Sequence, residues 1–417
     1  MIALVLSVIV SVSIFFGPKK YSRLYVYWLI PINVLADSLV GFSGDGSTHS
    51  GIIRAGLIYP YMLLSLLKIK SKQDHKILFG FLIYLGILTT MSSNPDYSFW
   101  QLLKVSSGFL MYPLAFIYIK TVEDIRRLYR SMLVAGGIVV FNFLIAQVFK
   151  IGESPYVGGL VYIGAGLVQI TYVLSYVCVL SPLMLDKSSG VKSKYIYAVL
   201  SSGVLQMLLT FRRSSILAVI LGVAVMAFTL GHKKQVIKAA MIATLMFGAL
   251  YAFKGDLIDK IISARMNIDQ ELSSKGGRVH EFSIVAEPFL EFDLKRMLIG
   301  TEVFNTINLP EFVQLDGKGR PLHVDFNILI HGSGIIGLFW YLYFHFRIWR
   351  FNRKAERLTR DQEGFKNFNG VFLGLLSAHF VISMSNQFFV LTSLSTLFLL
   401  LGSLNSVRYY SFLYLNK

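Results

Sequence analysis

The sequence feature that most constrains this fold is a near-continuous succession of apolar stretches. A helix needs roughly 20 apolar residues to cross the hydrocarbon layer of a bilayer, and the chain supplies about a dozen such stretches. The strands of an outer-membrane barrel would alternate polar and apolar residues, and these runs do not. Because 54% of the residues are hydrophobic and only 15% are charged, a soluble domain of this length is also excluded. The sequence therefore predicts an all-α, polytopic integral membrane protein with about 12–14 transmembrane helices.

The predicted spans divide the chain into three parts. About ten spans lie within 1–253, a large and partly helical extracytoplasmic loop occupies 254–324, and the last spans lie within 325–417. The predicted spans are 2–17, 24–41, 51–67, 77–92, 101–119, 131–149, 157–185, 195–211, 214–231, 236–253, 325–346, 367–386 and 389–407.

The connectors between the spans alternate between a strongly basic set and a sparsely charged set. PKKYSR, KTVEDIRRLYR and RIWRFNRKAERLTRDQEGFK belong to the basic set, whereas SSNPDYS, the FRRSS turn and the long loop belong to the other. Because cytoplasmic loops carry an excess of Lys and Arg, the basic connectors are predicted to be cytoplasmic and the long loop extracytoplasmic. This topology explains most of the formal charge of +17, so membrane lipid and not nucleic acid is the expected partner.

A few basic residues lie at helix ends on the sparsely charged side, where a cation near the bilayer costs free energy unless it has a partner. They are Arg54, Lys104, Arg212 and Arg213. Snorkelling toward lipid headgroups explains the first three as well as ligand binding does. Arg213 differs, because the polar break in LLTFRRSSILAVILG is too short to form a loop and holds the guanidinium at the membrane boundary. Its planar group of donors suits phosphate or pyrophosphate.

The long loop contributes two further candidates, Arg278 and His323. Arg278 begins a predicted helix whose apolar stripe is Val279, Phe282, Ala286 and Phe289 and which Pro288 kinks or ends. An ion pair between Arg278 and Glu281 is the alternative to ligand binding. His323 is a candidate general base, and the alternatives are a solvated loop histidine or a buried partner of Asp325.

Several kinds of chemistry are excluded by what the sequence lacks. The single cysteine, Cys178, allows no intrachain disulfide or cysteine metal cluster. No HExxH, GxSxG or Walker motif is present, and the acidic residues form no pattern that typically holds a divalent ion. The sequence therefore predicts chemistry that uses neither a metal nor a cofactor.

These residues resemble three sequence blocks of the O-antigen polymerase and O-antigen ligase superfamily of bacterial envelope glycosyltransferases. The first block, TFRRSS, matches an arginine turn between two spans at Arg213. The second, GGRVHEF followed by LIGTEVF, matches an arginine helix and a glycine turn at Arg278 and Gly300. The third, HVDFNILIHGSGIIG, matches the histidine that begins a span at His323 and its later glycines. The blocks cover about 200–345, roughly a third of the chain.

The sequence departs from the family pattern at two positions. Arg212 stands where the family has a small residue and adds a second cation. Val324 stands where the family has an asparagine that follows the histidine, which removes any role of that asparagine in placing a sugar.

The resemblance implies a fold like that of the GT-C glycosyltransferases and an active site on the periplasmic face of the bacterial inner membrane. The implied reaction polymerises undecaprenyl-pyrophosphate-linked oligosaccharide repeat units into O-antigen or a related surface polysaccharide, and a chain-length regulator protein is an implied partner. In this scheme Arg213 and Arg278 stabilise the leaving pyrophosphate, with Arg212, Arg54 and Lys104 as further pyrophosphate ligands. His323, oriented by Asp325, accepts the proton of the acceptor hydroxyl, which leads to inversion at the anomeric carbon.

Two alternatives remain open from the sequence. Ligation of a finished glycan to the lipid A core uses the same donor and a different acceptor. A flippase or secondary transporter for lipid-linked glycans would bind with the same cations and catalyse nothing, although transporters usually show two related halves and binding groups at mid-membrane.

Overall fold

The computed structural model describes residues 2–39, 47–69, 73–152, 161–162, 170–186, 189–210, 212–231, 234, 278–305, 322–359, 362–385 and 388–415. All regular secondary structure in these ranges is helical. The helices are α1 (Ile2–Phe16), α2 (Lys19–Leu39), α3 (Ser47–Leu66), α4 (Gln73–Thr90), α5 (Pro95–Phe109), α6 (Met111–Tyr118), α7 (Val122–Phe149), α8 (Thr171–Leu185), α9 (Ser193–Leu209), α10 (Arg213–Thr229), α11 (Arg278–Leu290), α12 (Leu294–Ile299), α13 (Asp325–Thr359), α14 (Phe368–Ser383) and α15 (Leu391–Leu415). A short 3-10 helix spans Glu363–Phe365.

Helix α15 lies at the centre of the bundle. Every residue from 390 to 407 is buried, and the helix packs against α5, α6, α13 and α14, with further contacts to α2, α7 and α8. A helix with large apolar residues on all sides is typical of a protein core or a membrane span. The run LTSLSTLFLLLGSLNSV fits this buried position, because its seven polar residues are small and several of them hydrogen-bond to neighbouring helices: Ser395 accepts from Asn33, and Ser406 donates to the carbonyl of Ile119.

The outward faces of several described helices are apolar as well. Large side chains such as Ile9 in α1, Ile83 and Ile87 in α4, Phe141 in α7 and Ile220 in α10 are more than half exposed. An apolar exterior of this extent is typical of a surface that contacts another apolar phase. Two helices, Val122–Phe149 and Asp325–Thr359, are long and apolar enough to cross a membrane, and several shorter apolar helices accompany them.

The described connectors gather at two opposite ends of the bundle. At one end, α13 and α15 begin, the Asp325 carboxylate accepts from the Phe388 N–H, and the α4–α5 turn contacts the segment after α12. At the other end, Tyr27 in α2 donates to Asp124 in the first turn of α7, and Asn352 donates to Asn369. The basic connectors around 119–130 and 347–368 lie at this second end.

The helix bounds correct five of the predicted spans. The span at 131–149 begins earlier, at Val122, and the span at 389–407 ends later, at Leu415. The span at 101–119 is two helices that meet at Leu110, because Pro113 lacks the N–H that would bond to the carbonyl of Phe109. The span at 157–185 is wrong in its first part, since 161–162 is not helical and α8 begins at Thr171. The span at 325–346 continues as one kinked helix to Thr359.

The helix that follows Gly277 is also predicted only in part. It continues through Pro288 to Leu290. The predicted apolar stripe is wrong, because Phe282 is exposed and the buried side is formed by Glu281, Ile284, Val285 and Pro288. The predicted span at 236–253, and the loop outside 278–305 and 322–324, lie outside the described residues.

Candidate active site

His323 is held by a buried carboxylate that belongs to α11. Its ring Nδ1 lies 3.0 Å from Oε1 of Glu281, and its backbone N–H donates to Oε2 of the same carboxylate over 3.0 Å. The Glu281 side chain is 1% exposed, whereas that of His323 is 45% exposed. An ionised carboxylate can only accept, so this contact selects the tautomer that carries a proton on Nδ1. In the neutral imidazole, the other ring nitrogen, Nε2, then carries the lone pair that can accept a proton.

Asp325 has a different partner from the one predicted. Its Oδ1 accepts from the backbone N–H of Phe388, 3.0 Å away in the connector between α14 and α15. Both hydrogen bonds of His323 within the described chain go to Glu281. The predicted orienting role of Asp325 is therefore wrong as a direct contact, because the buried acid of the preceding helix occupies that position. Asp325 instead fixes the start of α13 against the start of α15.

The glycines of the second and third blocks meet in one backbone crossing. Gly300 has a φ of +80°, and a Cβ on it would lie 2.5 Å from the backbone of Gly332 and Ser333. Gly334 has a φ of +62°, and its Cβ would lie 2.3 Å from the carbonyl of Leu298. Only glycine combines this backbone conformation with such close approach. The two blocks, read separately in the sequence, are thus one structural unit.

This crossing coincides with a break in the hydrogen bonding of α13. Gly334 has non-helical angles inside the helix. The carbonyl of His331 accepts from the Thr301 N–H at 2.6 Å, and that of Ser333 accepts from the Tyr84 hydroxyl at 2.9 Å. External donors therefore satisfy carbonyls at the break.

Glu302 fastens the same segment to the turn between α4 and α5. Its carboxylate accepts from the Ser92 hydroxyl at 2.7 Å and from the Ser93 N–H at 2.9 Å, and Asn305 donates to it at 3.3 Å. Partial burial alone would raise the pKa of the Glu302 carboxyl, but these hydrogen bonds outweigh it and hold the pKa below its ordinary value. The carboxylate form is thus the one that anchors the segment.

The arginine turn of the first block packs on the start of α8. The Tyr172 hydroxyl donates to the carbonyl of Ser385 and lies within hydrogen-bond distance of the Ser214 hydroxyl, both at 3.3 Å. Ser215 is similarly paired with Thr171 at 3.1 Å. These contacts connect the turn to the α14–α15 connector, which in turn holds Asp325 through Phe388.

The cations of this end have different environments. Arg213 is exposed at the first position of α10, and Arg212 is half-buried before it. Arg54 forms an ion pair with the buried Asp37, which also accepts from Thr392 in α15. This pair compensates the charge of Arg54 and gives it a structural role, while its predicted role at pyrophosphate stays a prediction.

Two further predicted cations are Lys104 and Arg278. Lys104, half-buried in α5, is close enough to Arg54 for the two charges to interact. Arg278 begins α11, three residues before Glu281, but its side chain lies outside the described residues. The structure thus brings the His323 segment, the arginine turn and Arg54 to one end of the bundle and leaves the direction of the Arg278 side chain undescribed.

Glu281 and Tyr172 are the residues that sequence reasoning missed. The sequence suggests Glu281 as an ion-pair partner of Arg278, but Glu281 also recurs with Ile284, Val285 and Pro288 at the spacing of one helical face. An acid on an apolar face is a signal for a buried partner. Nothing in the sequence near Tyr172 distinguishes it from the other tyrosines of apolar helices.

No protein-family model matches this chain. No curated protein matches it either. Within the described residues, no three side chains of His, Cys, Asp or Glu come together as a metal site would require.

Proposed function

We propose that this protein is a glycosyltransferase of the inner bacterial membrane that polymerises undecaprenyl-pyrophosphate-linked repeat units into a surface polysaccharide. The proposal includes about 12–14 membrane spans and a site on the periplasmic face. The apolar outward faces and the two long apolar helices support the membrane part. The contact between His323 and Glu281 is the observation that carries the enzymatic part.

In the proposed reaction His323 is the general base. The acceptor hydroxyl oxygen attacks the anomeric carbon of the donor sugar while its proton passes to Nε2 of His323. The carboxylate of Glu281 stabilises the imidazolium that results, because it already accepts the proton on Nδ1. Attack from the side opposite the leaving group inverts the anomeric configuration.

The leaving group in this scheme is undecaprenyl pyrophosphate. The bond between the anomeric carbon and the pyrophosphate oxygen breaks, and that oxygen takes the electron pair. Cations fixed near this charge lower the barrier without a metal. Arg213, exposed at the start of α10, and Arg278, at the start of α11, are the proposed main ligands. Arg212, Arg54 and Lys104 are proposed as further ligands.

The test is the replacement His323→Ala in cells that depend on this protein for their surface glycan. We expect loss of long glycan chains at unchanged protein level, with single repeat units still attached to the core. The matched control is Lys295→Ala, an exposed residue of the same loop, which should keep full chain length. Full-length glycan in the His323 variant would remove this residue from the scheme. If deletion of the gene and the His323 variant both leave a lipid A core that carries no repeat unit, the protein is a ligase.

A further inference from the structure

The other end of the bundle contains a cavity that the proposed reaction does not use. It has a volume of about 540 Å³ and lies between the last turns of α13 and α15. Its polar lining consists of Arg347, Arg350 and Lys354 on α13 and Arg408 on α15. No carboxylate is among the lining residues in the described chain. Four cations around one cavity favour an anionic ligand, and guanidinium groups favour phosphate in particular.

Arg408 is the residue that makes this cavity more than a basic surface. It is 1% exposed, its Nη1 donates to Asn352 at 2.8 Å, and its Nη2 donates to the carbonyl of Phe365 at 3.3 Å. Its Nε is buried and has no hydrogen-bond partner among the described residues. A buried donor without an acceptor is costly. The positive charge of Arg408 also adds to the attraction for an anion in the cavity that this residue lines.

The remaining wall of the cavity is apolar. Phe351 and Leu358 on α13 face Tyr409, Phe412 and Leu413 on α15. A free phosphate would leave this wall in contact with water, whereas an acyl or glycerol portion would cover it. The position of the cavity also fits an anionic lipid, because the cavity lies at the end of the bundle where the basic connectors gather. Basic pockets between helices on that side of a membrane suit the headgroups of anionic lipids.

We infer that this cavity binds the phosphate headgroup of an anionic phospholipid, with its glycerol and upper acyl chain against the apolar wall. The Arg408 guanidinium lies at the base of the site, and Arg350 and Lys354, both exposed, close over the phosphate from α13. The bound lipid would join the ends of α13 and α15. This inference is independent of the transferase chemistry at the opposite end.

The experiment compares lipid binding to the purified full-length protein by native mass spectrometry, with phosphatidylglycerol as the probe. The test variant is Arg350→Ala with Lys354→Ala, which removes two exposed lining cations and leaves the buried Arg408 in place. The control is Arg353→Ala with Arg357→Ala, which removes the same charge from the same helix at positions that do not line the cavity.

We expect the test variant to bind phosphatidylglycerol roughly tenfold to thirtyfold more weakly than the unchanged protein, and the control to change by less than about threefold. Phosphatidylcholine should bind weakly to all three proteins. An equal loss in both variants would overturn the inference, because the lipid would then follow overall charge. Displacement of the lipid by an equal concentration of inorganic phosphate would overturn it too, since the apolar wall would then contribute nothing.

Discussion

The replacement Gly334→Ala tests the backbone crossing on which the position of His323 depends. Gly334 has φ +62° and ψ −165°, a region that is essentially restricted to glycine and costs another residue about 1–3 kcal/mol. The added Cβ would lie 2.3 Å from the carbonyl oxygen of Leu298 and 2.6 Å from the nitrogen of Ile299. Both are backbone atoms, so α12 must move. We therefore expect a loss of at least about 2 kcal/mol in the free energy of unfolding.

Gly137 provides the matched control for this replacement. It lies inside α7, and a Cβ on it would have no neighbour within 4 Å. Alanine there should leave the protein unchanged or stabilise it by about 0.5–1 kcal/mol, because alanine is the better helix former. Thermal unfolding of the three purified proteins in one detergent measures the difference. If the Gly334 and Gly137 variants unfold at the same temperature, the crossing does not bear on stability and the reasoning is refuted.

Three further predictions concern the buried acid beside His323, the anchoring of the loop by Glu302, and the absence of a metal from the reaction. Glu281→Gln should slow glycan transfer by roughly 10²-fold, because a neutral amide no longer stabilises the imidazolium of His323. The control Glu287→Gln, at a half-exposed carboxylate of the same helix that pairs with Arg296, should not slow it. Steady-state transfer rates in membranes measure the difference. Glu302 should anchor the 301–305 segment fully above the ordinary pKa of a glutamate, and the anchoring should be lost as the pH falls through the lowered pKa of the folded state. Proteolysis of the loop should therefore accelerate in that lower pH range. Glu302→Gln should remove this pH dependence. Transfer by the purified protein should persist in EDTA, and a strict requirement for an added divalent ion would contradict the metal-free scheme.

The helical architecture was largely predictable because apolar stretches report directly on helices that contact apolar surroundings. The observed ends of α1, α9, α10 and α14 lie close to the predicted ones. The predictions failed where local backbone chemistry intervened. Pro113 divides one predicted span, and α13 continues through a charged segment because a helix does not have to end where its apolar character ends.

The contacts within the candidate site were not predictable from the sequence. The position of His323 at the start of an apolar helix is visible in the sequence, but its partner Glu281 is 42 residues earlier in the chain. Asp325 is nearer in sequence and was the natural choice, yet the start of the helix directs it to Phe388, 63 residues away. Contacts of this kind arise from packing between helices, and the periodicity within one helix does not predict them.

In the proposed function, this protein transfers a glycan from a pyrophosphate carrier and His323 takes part in the transfer. The most direct measurement incubates the purified protein with undecaprenyl-pyrophosphate-linked repeat units and follows both the glycan length and the released carrier. We expect longer glycans and one free undecaprenyl pyrophosphate for each bond formed, with neither product from His323→Ala. Tight binding of the lipid-linked units with no lengthening and no released carrier would contradict it, and would favour a transporter.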